Sequence, residues 1–257
     1  MSVRYEVDGR VATFTLDRPD QRNAVDPDLT AALGAALARF EADPDVWVGI
    51  LTGAGPNFCA GADLKTIAAG RGAELSTVDG GFAGWVRYPR TKPVIAAVRG
   101  FALAGGTELV LACDLVVAST DTSFGLPEVT RGIVAAGGGL FRLPRAIPAA
   151  RARELVLTGD RLPAAEALRL GMVNHVVEPD HVLTTARELA ERICRNAPVA
   201  VRESLAVIRD SAMMTDEQGW QRSAAAMQHA RESEDAQEGP RAFAEKRPPD
   251  FSDYTAI

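Results

Sequence analysis

The stretch from Pro93 to Ser119, PVIAAVRGFALAGGTELVLACDLVVAS, limits the possible folds more than any other part of the chain. PVIAAV and DLVVAS are short, apolar, β-rich runs, and between them Gly105 opens a helical run that reaches Cys113. Strands that alternate with helices build an α/β fold. The same stretch carries an anomaly. Glu108 stands two residues after a Gly-Gly pair, among Leu103, Leu109, Val110 and Leu111. A carboxylate in that company is costly to bury unless something pairs with it or uses it.

The alternation continues on both sides. Arg4 to Asp17 reads as two strands around an Asp8-Gly9 turn, and Val46 to Gly53 as another strand. Between them, Leu29, Leu33, Leu37 and Phe40 have the spacing of an amphipathic helix over Asp28 to Phe40. Asn174 to Glu178 reads as a late short strand. The pattern predicts a spiral of small ββα units. After Asn196-Ala197-Pro198 the composition changes, and only helical segments are expected: Val199 to Met213, Asp216 to Glu232 and Asp235 to Lys246. The chain therefore divides into a core over residues 1–196 and a helical segment over 197–257. Those helices are too few to build a core of their own, so they are expected to pack on the main body or on another subunit.

Composition removes several classes of function. With 257 residues, 47% of them hydrophobic, the chain can bury one large α/β core. It has no apolar run of about 18 residues and no secretory leader, so a cytoplasmic protein without a membrane partner is expected. The net charge is −6 and no Lys/Arg block is present, which disfavours a nucleic-acid partner. Cys59, Cys113 and Cys194 are isolated and read as small buried thiols. His175, His181 and His229 lack ligand partners at helical spacing, so no metal site is expected.

No phosphate-loop motif, dinucleotide fingerprint or GxSxG elbow is present. What remains is a pair of strand-to-helix junctions, GAGPNFCAGADL (Gly53 to Leu64) and FALAGGTEL (Phe101 to Leu109). A helix start exposes unpaired N–H groups and partial positive charge, and two such starts facing each other would form an oxyanion hole. Two carboxylates complete the set: Glu108, and Glu128 in SFGLPEVTRG, where Pro127 opens a turn or helix start. Together they could hold a water and move protons. On spacing alone, each could equally be a capping or dipole partner.

FCAGADL, KPVIAAVRGFALAGGTELVLACDL and FGLPE together resemble the enoyl-CoA hydratase/isomerase (crotonase) superfamily, over Val3 to about Phe251. The resemblance implies a ββα spiral followed by a helical trimerisation segment, assembled as a homotrimer or dimer of trimers. It places the oxyanion amides on Ala62 and Gly105 and the catalytic acids on Glu108 and Glu128. Retention of both acids points to hydration or dehydration of a 2-enoyl-CoA in fatty-acid or related acyl-CoA catabolism. The alternatives are an enoyl-CoA isomerase, a carnitinyl-CoA dehydratase-like enzyme, or a weakly active relative that binds acyl-CoA or RNA. Coenzyme A would be part of the substrate, with no separate cofactor. Its contacts would fall on Arg22, Ala24, Ala60, Asp63, Leu64 and Lys65, and on Phe243 and Lys246 from a neighbouring subunit.

In GIVAAGGGLFRL, Ala135 and Ala136 stand where many hydratases of this superfamily have Pro-Gly, and the water-binding N–H would fall on Ala136. The glycine-rich segment Thr66 to Tyr88 is expected to close part of the acyl pocket. Its aromatics Phe82, Trp85 and Tyr88 are expected to pack into the core.

Overall fold

The computed structural model describes residues 2–251. The chain opens with β1 (Val3–Asp8) and β2 (Val11–Leu16), joined by the Gly9 turn, then α1 (Pro27–Ala42) and β3 (Val48–Gly53). Asp26 caps α1 by accepting the Leu29 N–H at 2.8 Å, and Pro27 occupies the first turn, where its missing N–H has no helical partner to lose. A short α2 (Leu64–Ala68) and a small hairpin, β4 (Ser76–Thr77) and β5 (Gly81–Phe82), lead to β6 (Val94–Val98) and β7 (Phe101–Leu103). Next come α3 (Gly105–Leu111), β8 (Leu115–Ser119), β9 (Ser123–Gly125) and a 3₁₀ turn at Pro127–Arg131.

The remainder of the core is α4 (Gly139–Ala146), α5 (Ala149–Thr158), β10 (Arg161–Pro163), α6 (Ala164–Leu170), β11 (His175–Val177) and α7 (Val182–Cys194). Three further helices follow: α8 (Pro198–Ser211), α9 (Asp216–Glu232) and α10 (Asp235–Glu245).

The main sheet has the order β1-β2-β3-β6-β8-β11, antiparallel at the first pair and parallel beyond it. Both faces are covered, so the central strands read as continuous apolar runs. Alternate residues serve opposite faces. Val94, Ala96 and Val98 join the cluster built on Phe14, Leu33, Phe40 and Trp85, whereas Ile95 and Ala97 meet Val182, Ala186 and Ala190 of α7. A second sheet, β10-β9-β7, stands beside the first and carries β7 into α3.

The expected strands and the three C-terminal helices are present, with ends shifted by a few residues. The run Gly105 to Cys113 stops at Leu111 as a helix, and the Ala112 N–H closes it onto Glu108 O at 3.1 Å. Helices α4 to α7 and the short strands β7, β9 and β10 had no counterpart in the sequence reading. Asp114 fastens α8 to the sheet: its carboxylate accepts the Val94 N–H at 2.8 Å and pairs with Arg90 and with Arg209 of α8.

Candidate active site

Two loops meet at the head of α3. The loop after β3 lies along β7, with Cys59 N–H donating to Phe101 O at 3.2 Å and Leu103 N–H to Cys59 O at 3.0 Å. Gly61 is packed directly against this junction. Its φ is +90°, and a Cβ there would lie 2.8 Å from Ala104 Cβ and 2.9 Å from Gly105 N. Only a residue without a side chain fits both the backbone shape and the gap. Ala104 has φ 53° and ψ −126°, a strained conformation for alanine, held by its N–H bond to Gly125 O at 2.8 Å.

This junction sets Ala62 beside Gly105. Among the described residues, neither N–H donates to a protein acceptor. Both residues line one cavity of about 720 Å³, together with Ala60, Leu64, Phe82, Glu108, Glu128 and Ala136. The two acids are buried, at 4% and 7% exposure. Their surroundings differ. Glu108 Oε1 accepts the Gly139 N–H at the start of α4 at 2.9 Å, and the Gly137 N–H also stabilises the carboxylate. A Cβ on Gly137 would sit 2.6 Å from Glu108 Oε2, so the glycine-rich loop is what lets the backbone reach the acid. Burial raises the proton affinity of Glu108, while the two N–H groups and the Arg142 charge oppose that rise.

Glu128 projects from the 3₁₀ turn that begins at Pro127, and its Oε2 has no hydrogen-bond partner among the described residues. Burial pushes its carboxyl up to about 7, opposed by a backbone hydrogen bond and helped by a smaller push from the charge of Glu108. Two nearby acids therefore hold their protons differently. A neutral Glu128 beside an ionised Glu108 is a donor beside an acceptor, facing two free N–H groups suited to a developing oxyanion.

The profile of the enoyl-CoA hydratase/isomerase family matches residues 6–254. The chain belongs to that family. Among the relatives of this family member is the carnitinyl-CoA dehydratase of Salmonella arizonae, 43% identical over 98% of this chain and 99% of the relative. The crystal structure of an enoyl-CoA hydratase from Mycobacterium tuberculosis is 45% identical, covers 97% of this chain and 98% of its own, and superposes with a TM-score of 0.93. A carnitinyl-CoA hydratase from Mycobacterium avium is 46% identical over 97% of each chain, with a TM-score of 0.75.

The structure brings Ala60, Ala62, Leu64, Gly105, Glu108, Glu128 and Ala136 to one cavity and leaves the other expected contacts outside its wall. Asp63 caps α2 by accepting the Lys65 N–H at 2.9 Å and lies 3.5 Å from Arg18. Lys65 and Arg22 are exposed, and Arg22 O accepts the Ala60 N–H at 3.0 Å. Ala24 O accepts a hydrogen bond from Arg18. Phe243 is 87% exposed, and Lys246 is an exposed left-handed cap on α10. The Ala136 N–H donates to Val134 O at 2.9 Å, and the N–H groups at Glu108 come instead from Gly137 and Gly139.

All three expected aromatics pack against the core, and one of them has a second role. Trp85 is a core residue, packed edge-on to Phe14 at 5.3 Å, and Tyr88 is half-buried against the same cluster. Phe82 also packs against that cluster, and it forms cavity wall as well, because its ring lies where a Gly105 side chain would be. Gly61, Ala104 and Gly139 were not singled out in the sequence. The only written signal was their place among glycines at loop-to-helix junctions.

Proposed function

We propose that this family member is a hydro-lyase that adds water reversibly across the 2,3 double bond of a 2-enoyl-CoA thioester. One observation carries the reading: a single cavity holds two buried acids of unequal proton affinity beside two unpaired N–H groups. The thioester oxygen would lie between Ala62 N–H and Gly105 N–H, which bind it more strongly as it becomes an enolate. Ionised Glu108 takes one proton from water while the water oxygen bonds to C3. The π electrons move toward the carbonyl, and protonated Glu128 delivers its proton to C2. The step leaves the proton on Glu108 and the charge on Glu128. Dehydration follows the same path in reverse from that state.

In this reading the backbone at Ala60–Leu64, with Lys65 and the Arg22–Ala24 turn, borders the coenzyme A arm. The exposed Phe243 and Lys246 reach the coenzyme A of a neighbour in a homotrimer or dimer of trimers. Coenzyme A belongs to the substrate, no separate cofactor takes part, and the enzyme works in the cytoplasm on fatty acyl or related thioesters. Among the described residues no helix is long and apolar enough to cross a membrane.

Loss of enone absorbance with crotonyl-CoA, measured beside a 3-enoyl-CoA, tests the proposal. Hydration of the first without isomerisation of the second is expected. Isomerisation without hydration would replace the hydro-lyase with an isomerase, and binding without either reaction would leave a non-catalytic relative.

A further inference from the structure

One wall of the cavity is the β4–β5 hairpin and the turn that follows, within the segment expected to close the acyl pocket. Ser76, Thr77, Gly81, Phe82, Val86 and Arg87 all line the cavity. Ser76 pairs with Phe82 and Thr77 with Gly81 across the hairpin. The wall starts at the reacting centre, where Phe82 lies on Gly105. One position further along, the Arg87 stem rests on Gly81, where a Cβ would come within 2.9 Å of Arg87 Cδ. The Arg87 N–H donates to Gly80 O at 2.8 Å, which folds the turn back over the hairpin.

Arg87 is exposed, and among the described residues no carboxylate pairs with it. Arg131 and Arg161 also line the cavity without a carboxylate partner, and Arg161 stands 6.0 Å over the Phe101 ring. The acids lining the cavity among the described residues are Glu108 and Glu128, both assigned above to proton transfer. The other polar side chains of the lining are therefore guanidinium and hydroxyl groups, set among Leu64, Val86, Leu103, Ile133 and Val134.

That lining suits one kind of acyl group and opposes another. A planar guanidinium binds a carboxylate through two parallel hydrogen bonds. A carnitinyl group ends in a trimethylammonium, which is typically held by a cage of aromatic faces. Among the described residues this cavity has the single ring of Phe82, already packed against Gly105. Resting on the hydro-lyase reading, we infer that this site selects a 2-enoyl-CoA whose far end carries a carboxylate, held by Arg87 on the wall that also bears Ser76 and Thr77, and that it disfavours a trimethylammonium acyl group.

The phosphates of coenzyme A are a second source of the same anionic chemistry, and a matched substrate series separates the two. Turnover is measured with a five-carbon 2-enoyl-CoA ending in carboxylate, with neutral 2-pentenoyl-CoA and with crotonobetainyl-CoA, for the full chain and for Arg87→Gln. The wild type should prefer the carboxylate over the neutral substrate by at least about tenfold in kcat/KM and use the betaine least, as one charge-assisted contact allows. Arg87→Gln should bring the carboxylate-to-neutral ratio close to one. Absence of that preference in the wild type would overturn the inference. So would an equal loss on all three substrates in Arg87→Gln, which would assign the arginine to coenzyme A. Dissociation constants for glutaryl-CoA and pentanoyl-CoA read the same preference without turnover. Retained preference with no hydration would therefore sink the hydro-lyase reading and leave this inference standing.

Discussion

Glu108 Oε1 accepts the Gly139 N–H at 2.9 Å, a contact that opposes the rise in proton affinity that burial imposes on this acid. Glu108 meets the first turn of α4, where the helix end favours negative charge, while Glu128 Oε2 has no such donor among the described residues. Glu108, with N–H donors from both Gly137 and Gly139, is the better suited to be ionised, and Glu128, opposed by a single backbone hydrogen bond, the better suited to hold the proton.

Glu108→Gln and Glu128→Gln should each lower hydration kcat by at least ~10²-fold, the scale of a positioned proton-transfer group. Glutamine keeps the size and much of the hydrogen bonding but cannot ionise. The double variant should be little slower than either single, because in the proposed mechanism both acids act in one step. Steady-state turnover of crotonyl-CoA, with circular dichroism to establish folding, checks this. An active Glu108→Gln beside a dead Glu128→Gln would mean a one-acid mechanism.

The pH profile should be bell-shaped, with activity falling as pH rises through about 7, where Glu128 loses its proton. Hydration and dehydration start from proton arrangements that hold the same single proton on the pair. Their kcat/KM profiles should therefore share the same apparent limits, which belong to the pair. Removing the Glu108 charge removes one cause of the raised Glu128 affinity. In Glu108→Gln the residual upper limb should accordingly move to lower pH. An unmoved limb would show that the two carboxyls do not interact.

The same burial has a stability consequence. A carboxyl whose folded pKa lies above its unfolded value is better accommodated protonated, so its stabilising effect is full at low pH and fades as pH rises from about 4.5 through about 7. Glu128→Gln, which stays neutral, should melt higher than the wild type at pH 8. A gain of about 2–4 °C corresponds to roughly 1 kcal/mol in a chain of this size. At pH 4 the difference should vanish. Thermal melts at the two values decide it, and a lower melting temperature for Glu128→Gln at pH 8 would contradict the assignment.

Gly61→Ala should damage the site through the backbone rather than through a lost side chain. The added methyl would press on Ala104 Cβ at 2.8 Å and on Gly105 N at 2.9 Å, at a φ of +90° that alanine disfavours. The strain is on the order of 1–3 kcal/mol, and it displaces two N–H groups at once. Hydration kcat should fall ~10²–10³-fold, as on loss of an oxyanion donor, with a lowered melting temperature. A crystal structure with the Ala62–Gly105 spacing unchanged and full activity would remove Gly61 from this role.

The central strands and α1 were legible because their apolar periods are regular and their ends carry turn or cap residues, as at Asp8-Gly9 and Asp26. Helices α4 to α7 were harder to read. Arginine and glutamate interrupt their apolar spacing, and α4 contains Pro144. The acids and the two N–H groups were legible through their motifs. Phe82 packs against the core as its pattern predicts, and its second role as cavity wall was hidden because it depends on the approach of the β4–β5 hairpin to Gly105. The part played by Gly139 was hidden because it depends on α4 packing against α3, a contact between segments about thirty residues apart.

The C-terminal helices supply the last prediction. Helix α9 is 17 residues long, yet Ala226 is its one buried residue among those described. Trp220 and Met227, two turns apart on the same helix face, are 75% and 55% exposed. Met213 and Phe243 are 77% and 87% exposed on neighbouring segments. A tryptophan left outside a core in this company is typical of a surface that another chain covers. Trp220→Glu would place a charge in that interface while leaving the α8 anchor, Arg209 on Asp114, in place. Light scattering should show a wild-type oligomer and a smaller species for Trp220→Glu, with circular dichroism unchanged. If Phe243 and Lys246 serve a neighbour's coenzyme A, the KM of the smaller species should rise more than its kcat falls. A wild type that runs as a monomer would remove the interface, and a dissociated variant with unchanged KM would confine Phe243 and Lys246 to their own chain.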